Sequence, residues 1–516
     1  GGTIDGRPIR ENGYVHAVEW PVQVRLEPAV PAEDFGFFAY LVTETNVVSG
    51  GAAVGYPAFP DRRGGRYFTL PEAGLVRTLT AKEAQLIHVD GAAEESGADG
   101  SAKKPYKTIQ AAVDSYNDAS ATYRVIRVAD GEYTGCTAYS TWGNAAVVLQ
   151  KNILLTSVNG PSETTILGQS DETESGLGPN AARCVILANN NRYVGVSGFS
   201  LVGGRSAVGT SGSDSKGQGG AFRASSALTH QVMDCVISAC SAWRGPGAYL
   251  GWCDRCLIEN CTDASGENAT DREGVLTSCV LRNNKAPHNI IGQNVKAYNC
   301  SGKGQVGKSN YYSSNGYGCL PVNCLFVGGC NSLKAADTSV FYSNFGDSAE
   351  TTDRTQGMTY GDAMLVNRAD GDLRPLYGSP LEVGGDPTAP DWSRYVSADF
   401  NGRPMRFVNG RPAIGAFQDT VATVIVPASP NIEFDCGPTN VVEAGVPFTV
   451  TVRKTVKRNV LGIRVDGKDL QGTFSWTVTG EPNAAPVTVE AITSPHWYVD
   501  PNGSDAADCV SVLMES

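Results

Sequence analysis

Short phrases of alternating apolar and polar residues recur through the middle of the chain. They occupy residues 234–240, 255–261, 278–284, 294–300 and 323–329, with an earlier copy at 198–204. Cys235, Cys256 and Cys279 open successive phrases, 21 and then 23 residues apart. A period of this length with one short strand in each repeat is typical of one turn of a parallel β-solenoid.

Alternation along each strand predicts which side chains point into this coil. We expect the cysteine position and the position two residues later to be buried, the second set being Ile237, Ile258, Leu281, Ala297 and Phe326. At the following turn we expect Cys240, Cys261, Asn284 and Cys300 to align, with Asn260, Asn283 and Asn299 stacked one residue earlier. The cysteines are then small buried hydrophobes, and we predict mostly free thiols. Disulfides between neighbouring coils remain an alternative because adjacent strands are close enough.

A helix is predicted ahead of the coil. Ile109, Ala112, Val113 and Tyr116 have the spacing of one helix face, with Thr108 or Lys107 at its start. An open coil end exposes apolar side chains and unpaired backbone groups, so such a helix is expected to cover it.

The chain also repeats itself over a longer distance. Residues 5–8 (DGRP) return as 401–404 (NGRP), and Val89-Asp90 returns as Val499-Asp500. We therefore divide the chain into the end of a preceding β-helix module (1–20), a β-sandwich spacer (21–83), a β-helix (84–418), an immunoglobulin-like β-sandwich spacer (419–496) and the truncated start of a further module (497–516).

Composition narrows the functional classes. The 516 residues include 60 glycines and only 18% charged residues, which suits a turn-rich β protein. A net charge of −12 argues against nucleic acid as a partner, and no apolar run is long enough to span a membrane. Of 14 cysteines, the pair Cys253 and Cys256 has the spacing of half a zinc site, but no matching second pair follows. We expect no metal there.

Several segments resemble the right-handed parallel β-helix repeat proteins of the pectin-lyase-like superfamily, in particular large modular secreted bacterial members. Residues 89–112 are similar to that family's N-terminal cap and 128–133 to its first turn. Residues 371–381 and 401–417 are similar to its C-terminal coil, although Gln418 stands where an acid usually ends this motif. The resemblance implies an all-β, right-handed parallel β-helix with an N-terminal capping helix, flanked here by small β-sandwich (immunoglobulin-like) domains.

The superfamily includes polysaccharide lyases and hydrolases, so the outward positions of the coils are candidate positions for catalytic groups. Asp234 with Arg255 and Glu259 with Arg282 are predicted to form opposite-charge pairs on a solvated sheet. No two acids converge there, as a hydrolase requires. The remaining catalytic candidates lie on connecting loops, and they are Asp271, Arg272, Glu273, Lys285 and His288. Solvated loop positions are the alternative explanation for them.

Four aromatic residues are candidates for stacking against sugar rings: Trp243, Tyr249, Trp252 and Tyr298. Packing in the core or in loops is the alternative. Acid-rich loops at 90–99 and 171–174 offer oxygen ligands for Ca²⁺ but lack a dense Asp-x-Asp pattern, so we expect no cofactor.

We therefore expect an extracellular or cell-surface monomer with a structural or adhesive role, binding carbohydrate or another surface. A polysaccharide lyase or glycoside hydrolase acting on acidic polysaccharide is the alternative, and a trimeric tail fibre is a third.

Overall fold

The structure is a computed structural model. It describes residues 2–4, 7–9, 22–27, 36–46, 54–61, 64–70, 75–115, 122–208, 215–264, 270–271, 274–285, 291, 295–303, 306–307, 320–327, 330–331, 340–343, 358–389, 391–429, 432–453 and 458–495. The described chain forms two compact units. The first comprises residues up to 363 with 367–373 and 380–418, and the second comprises 364–366, 374–379 and residues from 419 onward.

In the part of the chain that the structure describes, seven strands come before the first helix. They are β1 (Gly2–Ile4), β2 (Arg7–Ile9), β3 (Val22–Leu26), β4 (Gly36–Asn46), β5 (Val54–Ala58), β6 (Arg66–Leu70) and β7 (Leu75–Val89). Helix α1 (Ile109–Asp114) follows, as the apolar spacing predicted. The Thr108 hydroxyl accepts a hydrogen bond from the backbone N–H of Ala111, which satisfies one donor of the first turn. Ile109, Ala112 and Val113 are buried in the core of the coil. Tyr116 lies outside the described residues.

The coil is built from short strands. They are β8 (Arg124–Val128), β9 (Gly131–Tyr133), β10 (Thr137–Tyr139), β11 (Gly143–Leu149), β12 (Ile153–Ser157), β13 (Thr164–Leu167), β14 (Ala182–Leu187), β15 (Val194–Ser197), β16 (Ser200–Val202), β17 (Phe222–Ala224), β18 (His230–Met233), β19 (Val236–Ser238), β20 (Ser241–Ala242), β21 (Ala248–Tyr249), β22 (Trp252–Asp254), β23 (Leu257–Glu259), β24 (Thr262–Asp263), β25 (Thr270–Asp271), β26 (Val275–Thr277), β27 (Val280–Arg282), β28 (Lys296–Tyr298), β29 (Ser301–Lys303), β30 (Val306–Gly307), β31 (Leu320–Val322), β32 (Cys324–Val327), β33 (Cys330–Asn331), β34 (Val340–Ser343) and β35 (Met358–Gly361).

Three main sheets form the walls of the coil in the described residues. Sheet 1 has the order β31-β28-β26-β22-β18-β15-β12-β8-β7-β4-β5, sheet 2 the order β35-β34-β32-β29-β27-β23-β19-β16-β13-β9, and sheet 3 the order β10-β11-β14-β17-β21-β25. Successive coils pair in parallel, for example Ile237 with Ile258 and Ile258 with Leu281. The fold is a parallel β-helix, as predicted. Crossovers between parallel strands are right-handed in nearly all proteins.

Burial along the coil follows the predicted alternation. Cys235, Cys256 and Cys279 are at most 1% exposed, and all three belong to one core cluster with Ile258 and Leu281. These side chains belong to the main hydrophobic core of the first unit, which runs along the inside of the coil. The cysteines whose side chains the structure describes are all free thiols.

The predicted alignment of phrase 294–300 was wrong by five residues. Tyr298 pairs with Thr277, which places Cys300 beside Cys279 rather than beside Cys261. Asn299 therefore occupies the same turn as Arg255 and Ser278, not the turn of Asn260 and Asn283. The error arose because a small buried residue follows both turns of a coil. The sequence around either turn therefore looks alike, and Asn299-Cys300 fits both.

The turn between sheets 1 and 2 has one residue of left-handed conformation in each coil. Asp234, Arg255, Ser278, Asn299 and Asn323 have φ between 49° and 54°. Asn and Asp tolerate this conformation better than most residues, because their short side chains hydrogen-bond locally. A row of polar side chains, here called the turn ladder, therefore follows the outside of the coil.

At the second turn of the coil, one amide side chain joins two neighbouring coils. Asn284 Nδ2 donates to the Ile258 carbonyl, and Asn284 Oδ1 accepts from the Cys261 N–H, both at 2.9 Å. Asn260, Asn283 and Asn299 were expected to stack one residue before this position, but the amide that bonds from coil to coil here is that of Asn284. Asn260 and Asn283 instead adopt the left-handed conformation and are exposed.

The segment after the coil does not add another rung to sheets 1–3 in the described residues. It contains β36 (Leu365–Asn367), β37 (Asp372–Pro375), α2 (Trp392–Tyr395), β38 (Phe407–Val408) and β39 (Arg411–Pro412). Residues 391–418, here called the strap, run along the turn ladder. The Asn299 side chain donates to the Ala413 carbonyl at 2.9 Å, and Ser278 donates to the Ala398 carbonyl at 2.6 Å. The expectation that 401–417 forms a C-terminal coil is corrected accordingly.

The predicted boundary at 83/84 falls inside one strand. β7 pairs with β4 through residues 75–84 and then in parallel with β8 through residues 85–89. Segment 22–70 also packs on the coil, since Phe38 and Phe59 share a cluster with Val125, Leu154 and Met233. This spacer is therefore continuous with the coil. Strand β1, in the segment assigned to a preceding module, pairs with β3.

The second unit has two sheets of its own. Its strands are β40 (Ala422–Ile425), β41 (Glu433–Phe434), β42 (Thr439–Val442), β43 (Pro447–Arg453), β44 (Arg458–Val465), β45 (Lys468–Gln471), β46 (Ser475–Thr479) and β47 (Val487–Pro495). The orders are β42-β40-β47-β44-β45 and β41-β43-β46. Both sheets contribute to one buried cluster that includes Val424, Val450, Ile463 and Val489. An immunoglobulin-like topology remains a prediction, and 497–516 lie outside the described residues.

Candidate functional site

Of the catalytic candidates on loops, the structure describes the side chain of Lys285 alone. Arg272, Glu273 and His288 lie outside the described residues. Asp271 is the last residue of β25, and its side chain is likewise not described. Lys285 is exposed and its backbone bridges to Thr262 of the neighbouring coil. A catalytic role for these residues stays a prediction.

Two of the aromatic candidates are covered. Trp252 is fully buried and donates its indole N–H to Thr277 Oγ1 at 2.8 Å. Tyr298 is 3% exposed and stacks on Tyr395 of the strap, with ring centroids 5.4 Å apart. Both rings lie on the outer face of sheet 1. The strap covers that face, however, so neither ring is available to a sugar.

The other two aromatic candidates lie nearer sheet 3. Tyr249 is 3% exposed and lies under the guanidinium of Arg223, which is 5.2 Å from its ring centroid. Trp243 is half-buried. Only Trp243 among the four therefore keeps a partly exposed ring.

Both predicted charge pairs form. Arg255 Nε lies 2.8 Å from Asp234 Oδ1, and Arg282 Nε lies 2.7 Å from Glu259 Oε2. The second pair is partly exposed, as expected of a solvated sheet. The first is not, because the Arg255 side chain is only 1% exposed.

A cleft of about 610 Å³ opens beside this buried pair. Its lining comprises Asp61, Pro161, Asp234, Cys235, Val236, Arg255, Leu257, Phe400, Asn401 and Gly402. Three parts of the first unit thus meet here: the loop after β5, the outer face of sheet 2 with the turn ladder, and the strap. The described residues of this cleft form the candidate functional site.

The floor of the cleft is apolar because two outward positions of sheet 2 carry aliphatic residues. Val236 and Leu257 are paired neighbours on β19 and β23, and both are half-buried. Phe400 of the strap contributes an aromatic side chain, and its ring contacts Phe417 with centroids 5.4 Å apart. The site therefore combines an aliphatic floor with one aromatic ring.

Carboxylates stand on the polar side of the cleft. Asp234 accepts two hydrogen bonds from Arg255, at 2.8 and 3.0 Å. Asp61 is held the same way by Arg25, at 2.5 and 3.3 Å. Burial alone would lower the pKa of Arg25, but Asp61 and Glu27 beside it raise the pKa above its ordinary value. Each carboxylate is thus bound edge-on by a guanidinium that stays charged.

A fully buried carboxylate anchors the network below the cleft. Asp254 Oδ2 lies 2.5 Å from Arg255 Nη1 and 3.0 Å from Arg66 Nη1. The other carboxylate oxygen, Oδ1, accepts a hydrogen bond from Thr277 Oγ1 at 2.7 Å. Ser397 of the strap donates to Asp254 Oδ2 at 3.4 Å. Two arginines share this one buried acid, and Asp234 at the cleft provides the second negative charge. The two acids and two arginines balance one another.

Sequence reasoning found only part of this site. The pair Asp234–Arg255 and the motif containing Asn401-Gly402 were both singled out, but nothing indicated that they meet. Asp61 carried no signal, because a single aspartate in a loop has no periodic partner. Asp61 comes close to the turn ladder because the strands that precede the coil pack on it, which no sequence pattern indicates.

The described residues contain no group of three His, Cys, Asp or Glu side chains arranged to hold a metal ion. Within the same residues, no helix is long and apolar enough to cross a membrane.

No protein-family model and no curated relative matches the sequence. Solved structures do match. Pectin methylesterase from carrot is 16% identical and aligns over 56% of this chain and 80% of its own, with a TM-score of 0.26. Pectate lyase Pel9A is 11% identical over 65% of this chain and 96% of its own, with a TM-score of 0.32. A pectin methylesterase bound to hexasaccharide VII is 13% identical over 50% and 71%, with a TM-score of 0.24.

These similarities concern the chain's architecture alone. Identities of this order with such TM-scores carry no inference about substrate or reaction, and the parallel ladders of sheets 1–3 define the fold without them.

Proposed function

We propose that this chain is part of an extracellular or cell-surface modular β-helix protein with a structural or adhesive role, and that its cleft binds carbohydrate. The observation that carries this proposal is the lining of the cleft. An aliphatic floor and one aromatic ring stand opposite two carboxylates and Asn401. A saccharide presents the same combination, with apolar ring faces and hydroxyls at its edges.

The state of the carboxylates favours binding over cleavage. A general acid must hold and release a proton, which requires a carboxyl group kept protonated by its surroundings. Asp61 and Asp234 are each engaged by a guanidinium through both oxygens. Each carboxylate is therefore held in place as a hydrogen-bond acceptor, which is the role that binding of sugar hydroxyls requires.

The coil supports an adhesive role in a second way. Its successive rungs place equivalent outward side chains in rows, so one surface can make many weak contacts. An overall charge of −12 favours neutral or cationic surface components over strongly anionic ones.

A glycan-binding measurement tests the proposal. Leu257→Glu places a charge on the cleft floor, and we expect it to weaken saccharide binding by roughly tenfold or more, equivalent to about 1.4 kcal/mol. Leu167→Glu is the matched control, because Leu167 is a half-buried outward residue of sheet 2 that does not line the cleft. Absence of binding across a broad glycan array, or equal loss in both variants, would contradict the proposal.

A second function has one observation in its favour. Asp61 and Asp234 lie in the same cleft, and a glycoside hydrolase requires two carboxylates. Incubation of the chain with uronate and neutral polymers, with and without EDTA, distinguishes the two proposals. Unsaturated products or new reducing ends that disappear in Asp234→Asn would establish a lyase or hydrolase instead.

A further inference from the structure

The second unit repeats the pairing of the segment that precedes the coil. In the first unit, β3 pairs with β6, and β4 pairs with both β5 and β7, all antiparallel. In the second unit, β43 pairs with β46, and β44 pairs with both β45 and β47, again antiparallel. The five strands follow one another along the chain in the same order in both places.

The two copies also share an irregularity. The ladder of β4 and β7 is interrupted between Phe37 and Ala39, which pair with Glu83 and Lys82. The ladder of β44 and β47 is interrupted between Val460 and Gly462, which pair with Thr493 and Ile492. A β-bulge at one matching position is a specific feature, because a bulge re-aims the residue it contains.

Register and sequence agree on the same correspondence. The bulge pairing relates Lys82 to Ile492 and Glu83 to Thr493, an offset of 410 residues. The motif Val89-Asp90 returns as Val499-Asp500 at that same offset of 410. Strand pairing and sequence repetition are independent observations, so their agreement fixes the alignment of β7 with β47 and its continuation.

The residue inside each bulge differs in its surroundings. Phe38, in the first bulge, is fully buried and packs with Val125 and Leu154 of the coil. Leu461 is its equivalent in the second bulge, and it is 43% exposed. An apolar residue thus stands in the second unit at the position that a coil covers in the first.

We propose that the sheet of β44 and β47 is a docking face for the first coils of a further β-helix module, joined in register after Asp500. The occupant has the character of residues 91–418, and its apolar outward side chains cover Leu461. Its strand equivalent to β8 pairs in parallel past the C-terminal end of β47, clear of Val487 and Thr488, which pair with β40. The second unit is then the entry sheet of a module rather than an independent spacer. The inference does not depend on the ligand of the cleft.

A fusion protein tests this proposal. Residues 91–418 are appended directly after Asp500, and Leu461→Cys is introduced in both the fusion and the parent chain. We expect thiol labelling of Cys at this position, followed by mass spectrometry, to be fast in the parent. In the fusion, labelling should slow by roughly tenfold or more, because the docked coil covers position 461 and the thiol becomes accessible only when the coil transiently detaches.

The matched control is the same fusion without Val499. Removing one residue between β47 and the appended coil shifts the register of the coil by one residue, so its strands present the opposite faces and cannot dock as proposed. Labelling in this control should remain as fast as in the parent. Equal labelling rates in the two fusions would overturn the proposal.

A second measurement guards against an unfolded fusion. Leu461→Asp should leave the urea midpoint of the parent chain unchanged, because Leu461 is exposed there. In the in-register fusion the same substitution should lower the midpoint of the appended coil. If the appended coil has the same urea midpoint with and without Leu461→Asp, the result contradicts docking. Glycan binding plays no part in either readout, so failure here is distinct from failure of the proposed function.

Discussion

Arg66 and Asp254 are 188 residues apart in sequence, yet their side chains form a buried ion pair of 3.0 Å. Arg66 is on β6, ahead of the coil, and Asp254 is on β22 within it. Neither side chain is more than 3% exposed. Burial lowers the pKa of Arg66, and the negative charge of Asp254 opposes this shift. The pair therefore joins the preceding strands to the coil, because the buried charge of Arg66 is neutralised by Asp254 of the coil.

Loss of this shared acid should destabilise the first unit strongly. Asp254→Ala leaves Arg66 and Arg255 buried without their common partner, and we expect the free energy of unfolding to fall by about 3–5 kcal/mol. Urea denaturation followed by tryptophan fluorescence measures this. The cleft should also lose its shape, because Arg255 positions Asp234.

Arg282→Ala is the control for Asp254→Ala. It removes the partly exposed pair with Glu259 on the same coil region, and it should cost no more than about 1 kcal/mol. Equal losses from the two substitutions would show that burial of the network has no energetic consequence.

The strap should depend on Asn299. Its side chain accepts from the Trp392 indole N–H at 2.6 Å and donates to the Ala413 carbonyl at 2.9 Å. Asn299→Ala leaves the Trp392 indole N–H without this acceptor, removes one of the donors to the Ala413 carbonyl, and forces alanine into a left-handed conformation. We therefore expect the free energy of unfolding to fall by about 2–5 kcal/mol. Faster proteolysis within the strap should accompany it.

Asn283→Ala separates the two contributions. Asn283 has a φ of 54°, close to the 49° of Asn299, but its side chain is exposed. Its replacement should cost about 1–2 kcal/mol, the conformational part alone. A larger loss than for Asn299→Ala would contradict the role assigned to the strap contacts.

Acid should weaken the first unit through Glu44. Burial alone would raise the pKa of Glu44, but Arg77 and Arg394 beside it lower the pKa below its ordinary value. The folded state therefore binds this proton less readily than the unfolded state, whose pKa is about 4.3. The stability from Glu44 is present above that pH and is lost as the pH falls through the lower folded-state pKa.

Comparison with Glu44→Gln checks the sign. The stability difference between wild type and variant should be largest near pH 7 and should shrink towards about pH 3. A difference that stays constant across this range would show that the Glu44 charge makes no contribution.

The cysteines should differ sharply in reactivity. Cys136 is exposed, whereas burial raises the pKa of Cys235 and Cys240 well above the ordinary value. Since the thiolate is the reactive form, native labelling should modify Cys136 fast and the buried thiols only on unfolding. Denaturation without reductant should then expose most of the 14 thiols. Few reactive thiols under those conditions would reveal disulfides.

The coil itself was readable from sequence. Cys256 and Ile258 repeat the pattern of Cys235 and Ile237, because each rung must bury the same two positions against its neighbours. Phrase 294–300 shows the limit of this reasoning. Its composition suits two places in a rung, and only the pairing of Tyr298 with Thr277 decided between them.

The candidate site was far less predictable. Asp234 and Arg255 pair across neighbouring rungs, a local relationship that a periodic pattern reports. Asp61 and Phe400 line the same cleft although they are close to opposite ends of the first unit in sequence. No periodicity links them, since their positions depend on how non-repeating segments pack on the coil.

The sequence by itself determined the repeating rungs, the buried cysteine column and helix α1, because each depends on contacts between residues of fixed spacing. Tertiary structure alone decided that the strap covers Trp252 and Tyr298 and that β7 continues from the preceding strands into the coil. Those outcomes depend on the docking of surfaces distant in sequence, where burial of aromatic rings and sharing of charges select one arrangement among many.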